Sequence, residues 1–587
     1  MSFRCFASVC LAVLATYINL VARAEDFKPV TEEMLRNPPP GDWLNWRRTD
    51  NAWGYSPLEQ ITRDNVGQLQ LVWSWAMEET AAQETAPLVH DGIIYLPNSH
   101  GVIQALDGAS GDLIWEYRPA VTKRVDGSAT LASTNQITRT APELSGAVSG
   151  PGVQKNIAIY GKRIFAATGN AHIVAIDALT GKLIWDVEVA DSSLGYRYTA
   201  GPIVVKGILI TGISGCSRYK DDVCFITGHD AATGTELWRT STVARPGEQG
   251  GDTWGDLPLR FRAGSDAWIA GSYDPGTGLV YWGTAQAKPW ASAVRGTKGN
   301  ALYTNSTLAL NPETGKIVWF YQHLPGETHD MDEVFENVLV DLDGRKSLFK
   351  MGKIGILWQL DRTTGEFINA TDLGYQNLLT VDSSNGKVTY HEGMVPEIGV
   401  QIDMCPSTSG MKSWRAIAYS PRTKAMYIPL TLNCELATFG PTERILGGGG
   451  AGPVRRKNHM HPRSNGMLGE FVAMSVESGK ILWRHRTATP SNTAALTTAG
   501  GVVFGGDWDR HVYAYDESTG EVLWQTRLIT SAQGFPISYL AGGKQYVAVP
   551  AGVGGASWST LIPRDLVPDI KRPNHGNSFY VFALPEK

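Results

Sequence analysis

The sequence contains the segment Ala175-Ile176-Asp177-Ala178-Leu179-Thr180-Gly181-Lys182-Leu183-Ile184-Trp185, whose pattern recurs along the chain and predicts the fold. It consists of a small residue, an apolar residue and Asp, then a turn ending in Gly, then a short apolar run ending in Trp. The same pattern recurs, once in degenerate form, at Ala105 to Trp115, Gly228 to Trp238, Ala309 to Trp319, Met474 to Trp483, Ala514 to Trp524 and Gln359 to Phe367. Seven copies of one unit indicate a repeat protein.

Each copy predicts a β-hairpin, because alternating apolar residues flank an Asp-x-x-Thr-Gly turn. The Asp side chain can bond its own backbone, and Gly can adopt the positive φ that the turn requires. Upstream apolar segments, such as 86–89 and 92–95, bring each unit to about four strands. Units of this kind along the whole chain predict an all-β propeller, in which the recurrent Trp packs one blade against the next.

The two ends of the repeat region predict how the ring closes. The apolar segment 579–583 is expected to pair with the early segment 71–75. Because each blade buries its faces only against its neighbours, residues 25–587 are predicted to form a single β-propeller domain.

Composition argues against nucleic acid as a partner. The 587 residues carry a formal net charge of −5, and no block of like charges occurs. Phosphate binding needs concentrated positive charge, which this chain lacks. With 43% hydrophobic and 19% charged residues, the sequence is that of an ordinary globular protein.

The first 24 residues are predicted to be an export signal. Arg4 precedes an apolar run over residues 5–21, and Ala22-Arg23-Ala24 offers small residues for cleavage after Ala24. Polar residues interrupt the apolar run, so a permanent membrane anchor is the weaker alternative. A periplasmic protein without stable membrane insertion is expected.

Four cysteines remain after removal of the signal: Cys216, Cys224, Cys405 and Cys434. An even number in an exported chain predicts two disulfides, because the compartment is oxidising. The sequence has no Cys-x-x-Cys-His motif, so covalently attached haem is not expected. Any electrons that the protein handles must then leave through a partner.

The repeats resemble those of the PQQ-dependent quinoprotein alcohol dehydrogenases, of the methanol and ethanol dehydrogenase type. Four further segments carry the resemblance: Trp46-Arg47-Arg48-Thr49-Asp50, residues 61–66, residues 273–277 and Cys405-Pro406-Ser407. It extends over nearly the entire mature chain. The resemblance implies an eight-bladed propeller that uses pyrroloquinoline quinone (PQQ) and one metal ion.

The resemblance also implies a set of cofactor-binding residues. Trp268 matches the indole on which the PQQ ring stacks, with a core Trp as the alternative. Because PQQ carries three carboxylates, cations are required around it. The remaining matched positions are Glu84, Lys155, Thr199, Ser214 and Lys353, the last beside the quinone oxygens. For Lys155 and Ser214, a surface or turn role is an equal alternative.

The segment Pro325-Gly326-Glu327-Thr328-His329-Asp330-Met331-Asp332 resembles the catalytic segment of the family. It implies that Asp330 is the base that accepts the alcohol proton and a metal ligand, with Lys353 as its catalytic neighbour. An Asp two residues after the base is typical of lanthanide-dependent members, which makes Asp332 a second metal ligand, although calcium also takes six to eight oxygens. In an extended segment the two carboxylates would point to the same side. The alternative is a pair of acidic loop residues in solvent.

Several positions depart from the family pattern. Ser217 stands where many members have a metal-binding Glu, and Gln286 replaces the metal-binding Asn. Asp332 is therefore expected to carry more of the coordination of a lanthanide or Ca²⁺. The family's ring of adjacent cysteines is missing, with Ser149-Gly150 roughly in its place. Ser413 stands where Asn is usual, and Asn492, a cofactor-binding position by resemblance, stands where methanol-oxidising members have Trp. The smaller side chains predict a roomier pocket.

The resemblance pairs Cys405 with Cys434, and a second disulfide is expected between Cys216 and Cys224 across a short loop. It implies a periplasmic enzyme that oxidises a small-molecule alcohol, bulky or secondary, and passes electrons to a separate soluble cytochrome c or a similar acceptor. One alternative is a PQQ-dependent dehydrogenase of sugar or polymer hydroxyls. The other is a non-catalytic propeller scaffold of the cell envelope.

Overall fold

The computed structural model describes residues 27–79, 82–119, 121–123, 129–131, 152–552 and 562–586. Within these residues, seven sheets have four strands and one has five. The protein is therefore an all-β structure, as the repeats predict, and the eight sheets are consistent with eight blades.

Each of these eight sheets is called a blade below, and its strands follow one another in hydrogen-bonded order. Blades 1 to 4 are Gln70–Ala76, Ser578–Ala583, Lys544–Ala551, Ile537–Ala541; Leu88–His90, Ile93–Pro97, Ile103–Asp107, Leu113–Tyr117; Ala158–Tyr160, Arg163–Ala167, His172–Asp177, Leu183–Glu188; and Ile203–Val205, Ile208–Gly212, Phe225–Asp230, Glu236–Ser241. Blades 5 to 8 are Ser272–Asp274, Leu279–Gly283, Ser306–Leu310, Ile317–Gln322; Val338–Leu342, Arg345–Met351, Ile356–Asp361, Phe367–Asp372; Ala418–Ser420, Ala425–Thr431, Gly469–Ser475, Ile481–Thr487; and Tyr55–Ser56, Leu496–Thr498, Val502–Gly506, His511–Asp516, Val522–Arg527.

The remaining elements are short and lie in the connections. The smaller sheets are Gln401–Met404 with Asn433–Phe439 and Val454–Met460, Val121–Lys123 with Ala129–Leu131, Ala263–Gly264 with Ala287–Lys288, and Leu379–Val381 with Val388–Tyr390. Among the described residues, the α-helices are Glu32–Arg36, Ser292–Arg295 and Ile562–Leu566. The 3₁₀ turns there are Val66–Gln68, Ser99–Gly101, Ser192–Leu194, Gly251–Trp254, Leu259–Phe261 and Pro462–Ser464.

The repeat works as a docking unit between blades. In the turn of blade 3, Oδ1 of Asp177 accepts hydrogen bonds from the backbone N–H of Leu179 and Thr180, at 3.1 and 2.8 Å. Gly181 has φ of 69°, and a Cβ on it would lie 2.6 Å from the ring of Trp115 in blade 2. The indole N–H of Trp115 donates to the carbonyl of Ala178 at 2.9 Å. Trp115 therefore packs against the turn of the next blade, as predicted.

The same Trp-on-Gly packing recurs around the ring, which confirms the structural role of the repeat. The pairs are Trp73 on Gly111, Trp185 on Gly234, Trp238 on Gly315, Trp319 on Gly365 and Trp483 on Gly520. Blade 1 closes the ring with strands from both ends of the chain. Leu71 lies opposite Phe582 and Trp75 opposite Phe579, in the predicted antiparallel pairing.

Both expected disulfides are present. Cys405 is bonded to Cys434, and Cys216 to Cys224. Across the part of the chain that the structure describes, no helix is long and apolar enough to span a bilayer. The predicted signal segment 1–24 lies outside the described residues.

Candidate active site

Connecting loops of blades 5 and 6 bring the candidate catalytic residues together. Asp330 and Asp332 lie between the last strand of blade 5 and the first strand of blade 6. Lys353 follows the second strand of blade 6, and Gln286 and Lys288 follow the second strand of blade 5. Residues far apart in the sequence therefore meet at one point.

Three nitrogen-bearing side chains contact the carboxylate of Asp330. The ammonium of Lys353 lies 3.0 Å from Oδ2 and also donates to the backbone carbonyl of Asp330 at 2.9 Å. The ammonium of Lys288 lies 3.2 Å from Oδ1, and the amide Nε2 of Gln286 donates to the same oxygen. This buried carboxylate is therefore fixed in orientation.

Asp332 shares Lys353 with Asp330. Its Oδ2 lies 2.8 Å from the Lys353 ammonium, and its Oδ1 accepts the backbone N–H of Gln286 at 3.2 Å. The two carboxylates lie together, as predicted, but the prediction that the segment is extended is wrong. Asp330 has φ of 69°, in the left-handed region, and the N–H of Asp332 donates to the Asp330 carbonyl at 3.2 Å. The carboxylates meet through a turn, held by Lys353.

Burial and charge act in opposite directions on these groups. Burial raises the pKa of Asp330, against the opposing charges of Lys288 and Lys353. Burial alone would lower the pKa of Lys353, but the carboxylates of Asp330 and Asp332 outweigh it and raise that pKa. These two carboxylates therefore favour the charged form of Lys353.

A buried frame holds the turn that carries Asp330. Oε1 of Glu327 accepts the backbone N–H groups of His329 and Met331, at 2.5 and 3.0 Å. The guanidinium of Arg295 donates to the Glu327 carbonyl at 3.1 Å. Burial lowers the pKa of His329 to about 4, so its ring is neutral near pH 7, and Nε2 bonds the Met394 carbonyl at 2.6 Å. The frame explains how a non-glycine residue keeps a positive φ.

A second cluster contains Glu84, Lys155 and Trp268. The ammonium of Lys155 lies 3.1 Å from Oε2 of Glu84 and 5.2 Å from the centroid of the Trp268 ring. Both charged side chains are buried, so a surface role for Lys155 is wrong. Trp268 is only half-buried and packs edge-on against Phe335, at 5.3 Å between centroids. Its indole is thus less covered than the fully buried Trp residues of the core.

One polar residue and an arginine border this cluster, whereas Ser214 bonds the backbone of another segment. The carbonyl of Thr199 accepts the backbone N–H of Lys155 at 2.8 Å, which places Thr199 beside the ion pair. The hydroxyl of Ser214 donates to the Arg197 carbonyl at 2.8 Å, a backbone contact of the kind that a turn residue makes. Burial lowers the pKa of Arg415 to about 10, while the charge of Glu84 opposes that shift.

Asp266 links the segments that carry the two clusters, through hydrogen bonds to its side chain and to its backbone carbonyl. Its Oδ1 accepts the N–H of Gly215 and Cys216, at 2.7 and 3.0 Å, next to Ser214. Its carbonyl accepts the N–H of Ala285 at 2.9 Å, next to Gln286. The two ends of segment 266–286 therefore lie side by side. One end carries Trp268, and the other carries Gln286, whose side chain contacts Asp330.

The positions that depart from the family pattern are mostly buried. Ser413 is buried, and the amide Nδ2 of Asn492 donates to the Ala532 carbonyl at 2.9 Å. The carbonyl of Ser217 accepts the N–H of Gly450 at 2.5 Å, from a glycine-rich loop that covers this segment. Ser149-Gly150 lies outside the described residues.

Comparison with known proteins identifies the family. The family described as "PQQ: Glucose/ethanol/alcohol dehydrogenase, beta-propeller domain" matches residues 43–372 and 453–547. The chain belongs to this family. Quinohemoprotein alcohol dehydrogenase ADH IIB of Pseudomonas putida is 31% identical over 572 residues, which cover 93% of this chain and 78% of that protein.

Two further relatives support the same class of enzyme. Quinoprotein alcohol dehydrogenase PedH of Pseudomonas putida is 29% identical, over 91% of this chain and 89% of its own length. The structure of a europium-containing methanol dehydrogenase matches with a TM-score of 0.81 and 26% identity, covering 93% of this chain and 99% of that one. This PQQ-family protein is thus a PQQ-dependent alcohol oxidoreductase, and the scaffold alternative is not favoured.

The cofactor cluster of this PQQ-family protein suits its cofactor. Oε1 of Glu84 and the hydroxyl of Thr199 are buried and have no hydrogen-bond partner among the described residues. Buried polar atoms are rarely left unpaired in proteins, so both are available to a ligand. Lys155 and Arg415 are buried basic side chains, a chemistry that suits ligand carboxylates, and the half-buried indole of Trp268 offers a flat surface.

The donor set of the catalytic cluster suits an oxygen-seeking cation. Gln286, Asp330 and Asp332 converge, and Oε1 of Gln286 is buried with no hydrogen-bond partner in the described ranges. Carboxylate and amide oxygens are ligands that Ca²⁺ prefers. Ser217 adds no charge to this set.

Sequence reasoning missed Lys288 and Arg415. Lys288 stands two residues after Gln286, and alternate residues of an extended segment share a face, which is the signal that could have revealed it. Arg415 has no comparable signal, because an arginine next to Trp414 is equally compatible with the surface.

Proposed function

We propose that this PQQ-dependent dehydrogenase is a periplasmic, metal-dependent enzyme that oxidises bulky or secondary alcohols to aldehydes or ketones. Its electrons pass to a separate soluble cytochrome c. One observation supports the proposal above all: the oriented Asp330–Lys353 pair is joined by segment 266–286 to the half-buried Trp268 and the Lys155–Glu84 ion pair.

Asp330 acts as the base in this proposal. Its carboxylate is buried and held by Lys353, so it can accept the hydroxyl proton of an alcohol without reorienting. Burial raises the pKa of Asp330, which makes its carboxylate a better proton acceptor than one in water. When bound, PQQ supplies the hydride acceptor and the metal ion supplies a Lewis acid.

Lys155, Arg415, Glu84 and Thr199 bind the cofactor in this proposal. The two cations suit carboxylates, and the unpaired oxygens of Glu84 and Thr199 suit polar groups at the ring edge. Ser214 and Asn492 are proposed as further cofactor contacts, and the indole of Trp268 as the support of one ring face. These residues orient the cofactor and keep water away from the buried base.

Gln286, Asp330 and Asp332 hold the metal ion in this proposal. They offer two carboxylates and one amide oxygen, a hard donor set that suits Ca²⁺ or a lanthanide. Because Ser217 contributes no charge, Asp332 supplies the second negative charge at the site.

Small side chains support the substrate preference. Ser413 and Asn492 are buried, and the family resemblance expects the bulkier Asn and Trp at these two positions. The site is therefore proposed to accept large or secondary alcohols better than methanol. Pocket shape discriminates one methylene by about 1–3 kcal/mol, so the preference should be graded across a series.

The proposal of a separate cytochrome as electron acceptor rests on the sequence, in which a haem-attachment motif is missing. No Cys-x-x-Cys-His motif is present, so a covalently bound haem cannot relay electrons within the chain. Export predicted by the first 24 residues would put the enzyme in the compartment of soluble cytochromes.

A dye-linked assay of the PQQ-reconstituted protein tests the proposal. Initial rates would be measured across methanol, ethanol, secondary and aromatic alcohols and sugars, with Ca²⁺ or La³⁺. The expected result is the highest kcat/KM for a bulky or secondary alcohol. The highest value for methanol would contradict the substrate preference, and the highest value for a sugar would favour the sugar-hydroxyl alternative.

A further inference from the structure

Lys288 lies at the catalytic cluster without a role in the chemistry described above. Its ammonium is 3.2 Å from Oδ1 of Asp330 and 4.8 Å from the ring centroid of Trp290. Its side chain is 14% exposed. The backbone is fixed, because Ala287–Lys288 pairs with Ala263–Gly264 in a two-stranded sheet. The ammonium is therefore held near Asp330 by the fold.

With Lys288 present, every carboxylate oxygen of the cluster has a donor. Oδ1 of Asp330 contacts Lys288 and Gln286, while its Oδ2 contacts Lys353. Oδ1 of Asp332 accepts the Gln286 N–H, and its Oδ2 contacts Lys353. Two carboxylates thus face two ammonium groups, and their charges balance before any ion binds.

We infer that Lys288 is a tethered cation that competes with the metal ion for Asp330 and sets the ionic charge that the site accepts. This inference rests on the proposed function, and it deepens the metal-binding part. An incoming ion must take Oδ1 of Asp330 from the Lys288 ammonium. The face of Trp290 offers the displaced ammonium a second favourable position by a cation–π contact.

The competition depends on the charge of the ion. Electrostatic repulsion between Lys288 and a bound ion is proportional to the charge on that ion. A trivalent lanthanide is therefore repelled half as much again as Ca²⁺ at the same place. Lys288 lowers the affinity of the site for both ions, and lowers it more for the lanthanide. It therefore opposes the preference for a lanthanide that Asp332 would otherwise confer.

Metal binding to charge-changing and charge-keeping variants tests this inference. Equilibrium dialysis against La³⁺ or Ca²⁺, with metal content read by mass spectrometry, would be applied to the full chain with and without PQQ. Lys288→Met removes the charge and keeps the stem, whereas Lys288→Arg keeps the charge. Lys206→Met is the control, because Lys206 pairs with Glu313 at 2.7 Å on the surface.

The expected result is tighter binding in Lys288→Met, about tenfold for Ca²⁺ and about thirtyfold for La³⁺, from repulsion proportional to ionic charge. Lys288→Arg and Lys206→Met should stay within about twofold of the wild type, because both leave the site charge unchanged. Unchanged or weaker binding in Lys288→Met, or equal gains for both ions, would overturn the inference. PQQ binding, followed separately by absorbance, tests the proposed function without reference to Lys288.

Discussion

The ammonium of Lys353 lies 3.0 Å from Oδ2 of Asp330 and 2.9 Å from the backbone carbonyl of the same residue. One side chain thus fixes both the position of the loop and the orientation of the carboxylate. The same ammonium lies 2.8 Å from Asp332, so the two acidic residues share one counterion. Charge and geometry at this site are therefore coupled, and single substitutions should separate their effects.

Lys155→Met is expected to weaken PQQ binding about 10- to 100-fold, the range for losing one hydrogen bond to a charged group. The substitution removes a buried cation and leaves the carboxylate of Glu84 unpaired. Titration of PQQ by tryptophan fluorescence measures the change, with the surface variant Lys206→Met as a control. Wild-type affinity in Lys155→Met would exclude Lys155 from the cofactor site.

Asp332→Ala is expected to lower lanthanide-supported activity more steeply than calcium-supported activity. The substitution removes one negative oxygen donor, on which a trivalent ion depends more than a divalent one. Metal titration of dye-linked activity and of metal content in the same samples would measure both effects. Equal losses with the two ions would refute a role for Asp332 in metal selectivity.

The two disulfides should differ in their contribution to stability. Cys405–Cys434 spans 29 residues and Cys216–Cys224 spans 8, so the first constrains the unfolded chain more. Replacing each pair by serine should cost about 2–4 kcal/mol, with the larger loss for the longer loop. Denaturant unfolding of the two double variants tests this order. A larger loss for Cys216/Cys224 would point to strain or local packing instead of loop entropy.

Asp50 should make stability depend on pH far from the active site. Burial raises its pKa to about 8, although a hydrogen bond from Asn45 at 3.0 Å opposes the shift. The folded state therefore holds a proton that the unfolded state loses near pH 4. The free energy of unfolding should fall as pH rises from about 4 to about 8, by at most about 1.4 kcal/mol per pH unit from this group.

Asp50→Asn should remove that part of the decline. Thermal unfolding of both proteins between pH 5 and pH 8 measures it, and the variant should gain stability relative to the wild type as pH rises. Parallel pH profiles would show that Asp50 does not hold a proton in the folded state.

The fold could be predicted because its signal is local and repeated. The Asp177 turn, its glycine and the Trp of the adjacent blade all lie in one pattern, and the pattern recurs in each unit. The sheet of Gln401–Met404, Asn433–Phe439 and Val454–Met460 was not predicted, because it lies outside the repeats and has no periodic partner.

The site could be predicted only where the family pattern marks it. The spacing of Lys288 from Gln286 is a weak signal, because its partner, Asp330, is 42 residues away and the tertiary structure brings the two together. The positive φ of Asp330 was also missed. It depends on the Glu327 carboxylate and on Lys353, which no local sequence preference encodes.

The turnover of Asp330→Asn with PQQ bound tests directly whether Asp330 is the base of an alcohol dehydrogenase. The amide cannot accept the alcohol proton, so kcat should fall about 10²–10⁴-fold, the range for loss of a general base. Because the substitution also removes one negative metal ligand, the assays would use PQQ and metal concentrations that saturate the variant, with PQQ absorbance and metal content measured in the same samples. We predict a wild type that oxidises alcohols and a loaded but inactive Asp330→Asn. A fully active Asp330→Asn, or a PQQ-loaded wild type that oxidises no alcohol, would contradict the central claim.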